Sequence, residues 1–188
     1  ILHAGYNHIE AIPSGISILK NLEALRLNDN GLTTLPDEIY DLEGLNELCL
    51  TNNRLEVFSP LVRRLVNLKS FSGAENYLDA FPPELCSLTS LENLFLHGNK
   101  IAVIPHTIAK LANLTRLTLM NNSIKTLPVE VAKMTNLKHI YLHNNPIDYL
   151  PKELESMRHL IECSWPPTFK TVTEVSLDMV VNRIKDLL

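Results

Sequence analysis

Apolar positions recur along this chain at a constant interval, and an asparagine marks each turn of the pattern. Asn7, Asn30, Asn53, Asn76, Asn99, Asn122 and Asn145 stand 23 residues apart throughout. Five places before each asparagine run Leu2, Leu25, Leu48, Phe71, Leu94, Leu117 and Ile140. Two places after run Ile9, Leu32, Leu55, Leu78, Ile101, Ile124 and Ile147, and five after run Ile12, Leu35, Phe58, Phe81, Ile104, Leu127 and Leu150. A self-similar period of this length is the signature of stacked repeats, each of which buries its apolar face only against its neighbours.

The local pattern predicts the elements of each repeat. Ahead of the asparagine the alternation L-x-L has period two, which predicts a short strand with leucines inward and the intervening residues outward. Strands from successive repeats then pair in parallel, about 4.8 Å apart, into one sheet. Proline follows at Pro13, Pro36, Pro82, Pro105, Pro128 and Pro151, with Ser59 in the remaining repeat. Lacking an N–H, proline is unsuited to the ladder and predicts the opposite face, where the chain enters a short helical or 3-10 segment. The asparagine amide both donates and accepts, so the column is predicted to satisfy backbone groups buried where the chain leaves the strand.

The segment "LEALRLNDNGLTTLPDEIYDLEG", Leu22 to Gly44, is one complete unit. Over residues 1–165 the chain resembles the leucine-rich repeat family, L-x-x-L-x-L-x-x-N-x-L followed by x-x-L-P-x-x-I-x-x-L-x-x. Its constant unit with Leu-Pro is more similar to the intracellular Ras-group repeats of Scribble-type scaffolds than to receptor ectodomains. The resemblance implies an α/β solenoid, with a curved parallel sheet on the concave face and short helical or 3-10 segments on the convex face. It also implies a non-catalytic module of adaptor or scaffold type, cytoplasmic and part of a larger chain, that binds a protein or peptide on the concave face. Two other readings stay open: an extracellular receptor ectodomain, or a targeting or regulatory domain of a larger enzyme such as a kinase, phosphatase, GTPase or ubiquitin ligase.

The pattern fails after Trp165, and Thr168 stands where the next asparagine is due. Within 166–188, Leu177, Val180, Val181, Ile184, Leu187 and Leu188 share one helical face, which predicts a C-terminal cap with an amphipathic helix over the last repeat. The opening residues "ILHAGYN" already lie inside the pattern, so a preceding segment is expected.

Charge narrows the partner. A formal net charge of −4 is the wrong sign for a nucleic-acid face, and no apolar run approaches the roughly 20 residues of a membrane span. Residues 1–94 hold 13 acidic and 6 basic side chains, a balance of −7, while residues 95–188 hold 8 and 11, a balance of +3. Such a gradient orients a polar partner. Cys49, Cys86 and Cys163 show no paired spacing, which is expected of free thiols in a reducing compartment.

The outward strand positions carry the candidate site. Phe95, His97, Met120, Tyr141 and His143 gather in the second part of the chain, with Arg116 and His139 beside them. Exposed aromatic, Met and Arg side chains in one place are the composition of a protein interface. Arg26, Asp29 and Glu75 extend the candidate surface, with a low stretch at Ser72 and Ala74 before Phe95. Catalysis finds little support. His97 and His143 lie two repeats apart, roughly 9–10 Å by strand spacing, too far to share one zinc ion. No phosphate loop, nucleophile elbow or dinucleotide fingerprint occurs, and neither metal nor cofactor is expected.

One inward place is anomalous. Gly73 occupies the column that holds Leu50 and Leu96 in the flanking repeats, while Phe58, Phe71 and Phe81 are the only phenylalanines in the inward columns. Large rings around a missing side chain predict volume compensation.

Overall fold

The structure is a computed structural model that describes residues 1–157 and 159–164. The C-terminal helix expected within 166–188 lies outside the described residues. Eight strands are present: β1 (Leu2–His3), β2 (Ala24–Arg26), β3 (Glu47–Cys49), β4 (Ser70–Ser72), β5 (Asn93–Phe95), β6 (Arg116–Thr118), β7 (His139–Tyr141) and β8 (Glu162–Ser164). They form one open sheet in chain order, every neighbouring pair parallel and in register by one repeat, as in Leu25 beside Leu48 and Leu48 beside Phe71. Pairing runs one residue past each strand end, where Leu27 N–H donates to Cys49 O at 2.8 Å and Gly73 N–H to Phe95 O at 2.9 Å.

A left-handed corner stops each strand. The residue before the asparagine has positive φ in all seven repeats: Tyr6 (58°), Asp29 (56°), Asn52 (54°), Glu75 (51°), Gly98 (66°), Asn121 (55°) and Asn144 (56°). Asp29 and Glu75, read from the pattern as outward strand positions, therefore sit beyond the strands, at the corner. Asn, Asp and Gly tolerate the left-handed region, so their predominance has a conformational cause. Tyr6 and Glu75 adopt it without that advantage.

Behind the corner the asparagines do what the column predicts. Asn53 Nδ2 donates to Leu27 O of the preceding repeat at 2.9 Å and to Leu50 O of its own at 3.0 Å, while its Oδ1 accepts from Leu32 N–H at 3.1 Å. Asn76, Asn99, Asn122 and Asn145 repeat the arrangement. Leu50 O therefore accepts from both Asn53 and Asn76, and each carbonyl of this kind locks two repeats together.

On the far side, seven 3-10 segments run from Ser14–Ile18 to Lys152–Ser156, and no α-helix occurs among the described residues. Each enters from extended backbone, at proline in six repeats. In the seventh, Ser59 Oγ accepts from Leu61 N–H at 3.3 Å, and Pro60 opens the segment. Ile39, Val62, Leu85, Ile108 and Val131 on these segments are fully buried against the strand leucines. Tyr40 is also buried, in a place where the next repeat exposes Arg63. Burial pushes its phenol up to about 12, against a hydrogen bond from the backbone of Ser59.

The volume at Gly73 is filled. A Cβ added there would lie 3.1 Å from Phe58 Cζ and 3.2 Å from Phe71 Cε1. The compensating rings are thus Phe58 and Phe71. Phe81 is buried in the same core but is not among the nearest atoms.

Candidate functional site

Two diagonals organise the outer face of the sheet. One runs from the position beyond a strand to the last residue of the next strand. Along it Thr51 Oγ1 meets Ser72 Oγ at 2.6 Å, His97 Nδ1 meets Thr118 Oγ1 at 3.0 Å and His143 Nδ1 meets Ser164 Oγ at 2.8 Å. Two imidazoles are therefore oriented by hydroxyls of the following repeat, which leaves Nε2 as the nitrogen turned away from that bond. The other diagonal runs from the last residue of a strand to the first residue of the next. Here Arg26 holds Glu47 by two bonds, at 2.6 and 2.9 Å, and Tyr141 Oη donates to Glu162 Oε2 at 2.5 Å.

The sheet brings the seven residues of the predicted patch together. Register places Phe95, Thr118 and Tyr141 side by side on β5, β6 and β7. The two rings thus stand two strand spacings apart, about 9.6 Å. Thr118, between them and bonded to His97, keeps only 5% of its surface exposed. Arg116 lies beside His139 in the same register, and Glu162 follows on β8. Phe95, His97, Arg116, Met120, His139, Tyr141 and His143 are all half-buried, each with part of its side chain open to solvent.

Electrostatics differ within the patch. Burial holds the His97 imidazole below its ordinary value, opposed by the Glu75 carboxylate. The bond to Glu162 pushes the Tyr141 hydroxyl up and holds the Glu162 carboxyl down. His139 Nδ1 is buried without a hydrogen bond, and Glu162 Oε2 stands 3.5 Å away.

The remaining predicted residues are engaged elsewhere. Arg26 is bound to Glu47, whose carboxyl is held below the usual range by that contact. Asp29 accepts from Asn28 Nδ2 at 2.7 Å and Asn52 Nδ2 at 2.6 Å, and these bonds, Asn52's foremost, lower its carboxyl. The Glu75 carboxyl lies against Gly98, closely enough that a Cβ there would collide with it. Ala74, expected to form the floor of a dip, has no exposed surface at all, and the Ser72 hydroxyl is taken by Thr51. Pattern reasoning missed Thr118, Glu162 and Ser164 as the groups that orient the patch. Their signal was an offset of 21 residues, one repeat less two, at which one outward row meets the next.

Among the described residues no group of three or more His, Cys, Asp or Glu is placed to hold a metal ion, and no helix is long and apolar enough to cross a membrane. Cys49 and Cys86 are free thiols.

A family model described as "Leucine rich repeat" matches residues 1–55 and 66–124, and one described as "Leucine Rich repeats (2 copies)" matches residues 112–156. A solved leucine-rich repeat protein of Leptospira interrogans is similar, with 32% identity and a TM-score of 0.71 over 90% of this chain and 50% of its own. The chain thus spans about half the length of that protein. Matches extend to 403 solved chains. No curated protein matches the chain.

Proposed function

Because the chain belongs to the leucine-rich repeat family, we propose that it is a non-catalytic recognition module that takes a protein or peptide on the outer face of its sheet. Phe95, Arg116, Met120 and Tyr141 are its principal contacts, with His97, His139 and His143 around them. One observation carries this reading: the core of β5–β7 is complete without these side chains. Leu94, Leu96, Leu117, Leu119, Ile140 and Leu142 are all fully buried, so packing gives no reason for large aromatic groups on the other face. Such groups, rigid and rich in contact area, concentrate binding energy at protein interfaces.

The module acts as an adaptor or scaffold element of a longer intracellular protein. The thiols of Cys49 and Cys86, outside any disulfide, and the constant Ras-group-like unit favour that setting over an extracellular one. The test is affinity capture from cell extract with the wild-type chain and a Phe95→Ala, Tyr141→Ala double variant. A partner lost only with the double variant supports the reading; one captured equally by both removes it.

A further inference from the structure

The strand-to-strand diagonal ends on an acid in two places, Glu47 and Glu162, and reaches Arg116 and then His139 on the two strands before the second. Arg26 meets Glu47 near one end, and Tyr141 meets Glu162 near the other. Between them the equivalent pairs are Cys49 with Ser70, Ser72 with Asn93, Phe95 with Arg116 and Thr118 with His139. Arg116 makes no ion pair within 4.0 Å among the described residues, while His139 Nδ1 faces Glu162 Oε2 at 3.5 Å. A half-buried guanidinium has lost part of its hydration and gains most from a carboxylate held in its own plane.

Building on the recognition reading above, we infer that the partner is an acidic peptide segment that sets an Asp or Glu carboxylate over Arg116 and His139. An adjacent apolar side chain of that segment enters the slot over Thr118, between Phe95 and Tyr141. The charge of this part of the chain agrees, since residues 95–188 sum to +3 against −7 for residues 1–94. His139 suits the role because Glu162 stands behind its Nδ1, at 3.5 Å, while the ring keeps some exposed surface.

The probe is a phage-displayed library of short random peptides, selected against the 188-residue chain, its Arg116→Glu and Arg116→Gln variants, and the Phe95→Ala, Tyr141→Ala double variant, all with melting checked. Wild type should enrich peptides with Asp or Glu next to an aromatic or aliphatic residue. Arg116→Glu should lose them and enrich Lys or Arg at the same place. For one synthesised wild-type peptide, Arg116→Gln should weaken binding roughly tenfold, and added salt should weaken it further. Peptides without an acid that bind the Arg116 variants equally, yet fail on the double variant, overturn the inference and leave the recognition surface standing. Peptides indifferent to the double variant, or no enrichment at all, overturn both.

Discussion

The rings of Phe58 and Phe71 meet edge to face, centroids 5.2 Å apart and planes at 78°, and both would stand within 3.2 Å of a Cβ added at Gly73. Edge-to-face contact is a favoured aromatic geometry, and here it occupies the space a leucine fills in neighbouring repeats.

Gly73→Leu therefore overpacks the core, at a cost of about 1–3 kcal/mol or more. Adding Phe58→Leu restores the usual residues at both places and should recover part of that loss, a coupling that chemical denaturation of the two single variants and the double variant measures. A Gly73→Leu protein more stable than wild type contradicts this packing.

The asparagine column predicts a contrast between two chemically identical substitutions. Asn76→Ala orphans the buried Leu55 N–H, bound at 3.0 Å to Asn76 Oδ1, and should cost about 1–3 kcal/mol for that group alone. Asn67 instead donates to Glu43 O at 2.9 Å on the exposed surface, so Asn67→Ala should fall within about 0.5 kcal/mol of wild type. Equal urea midpoints for the two variants would remove the ladder's structural role.

Tyr40 predicts an alkaline limit to stability. Its folded-state phenol is pushed up to about 12, against about 10 in an unfolded chain. Below the unfolded value its contribution is fully present. As pH rises from about 10 towards about 12 the unfolded chain loses its proton first, and stability falls by up to about 1.4 kcal/mol per pH unit. Denaturant midpoints measured across that range should decline for wild type and flatten for Tyr40→Phe. The same slope in both would assign the loss to another group.

The inward columns, the asparagine ladder and the proline-led turns were legible in the sequence because each is fixed by a requirement repeated at one spacing. Leu25 and Leu48 must face inward for neighbouring repeats to share a core, and Asn53 must reach carbonyls in two repeats at once. The left-handed corner was half-visible, since Asp29, Asn52, Gly98, Asn121 and Asn144 suit it while Tyr6 and Glu75 hide it. Burial on the outer face was not legible. Period two says which way Ala74 and Thr118 leave the strand, but not that neighbouring side chains close over them. Nor does it say that Arg26 and Asp29 already have partners, because those contacts depend on rotamers across adjacent repeats.

The recognition surface is the central claim, and the affinity of the captured partner for the Phe95→Ala, Tyr141→Ala variant tests it most directly. Measured by calorimetry beside a thermal melt, binding should weaken by roughly thirtyfold or more, the scale of one aromatic hot spot, while the melting temperature stays within about 3 °C of wild type. Unchanged affinity, or a loss of binding that merely tracks a comparable loss of stability, would contradict it.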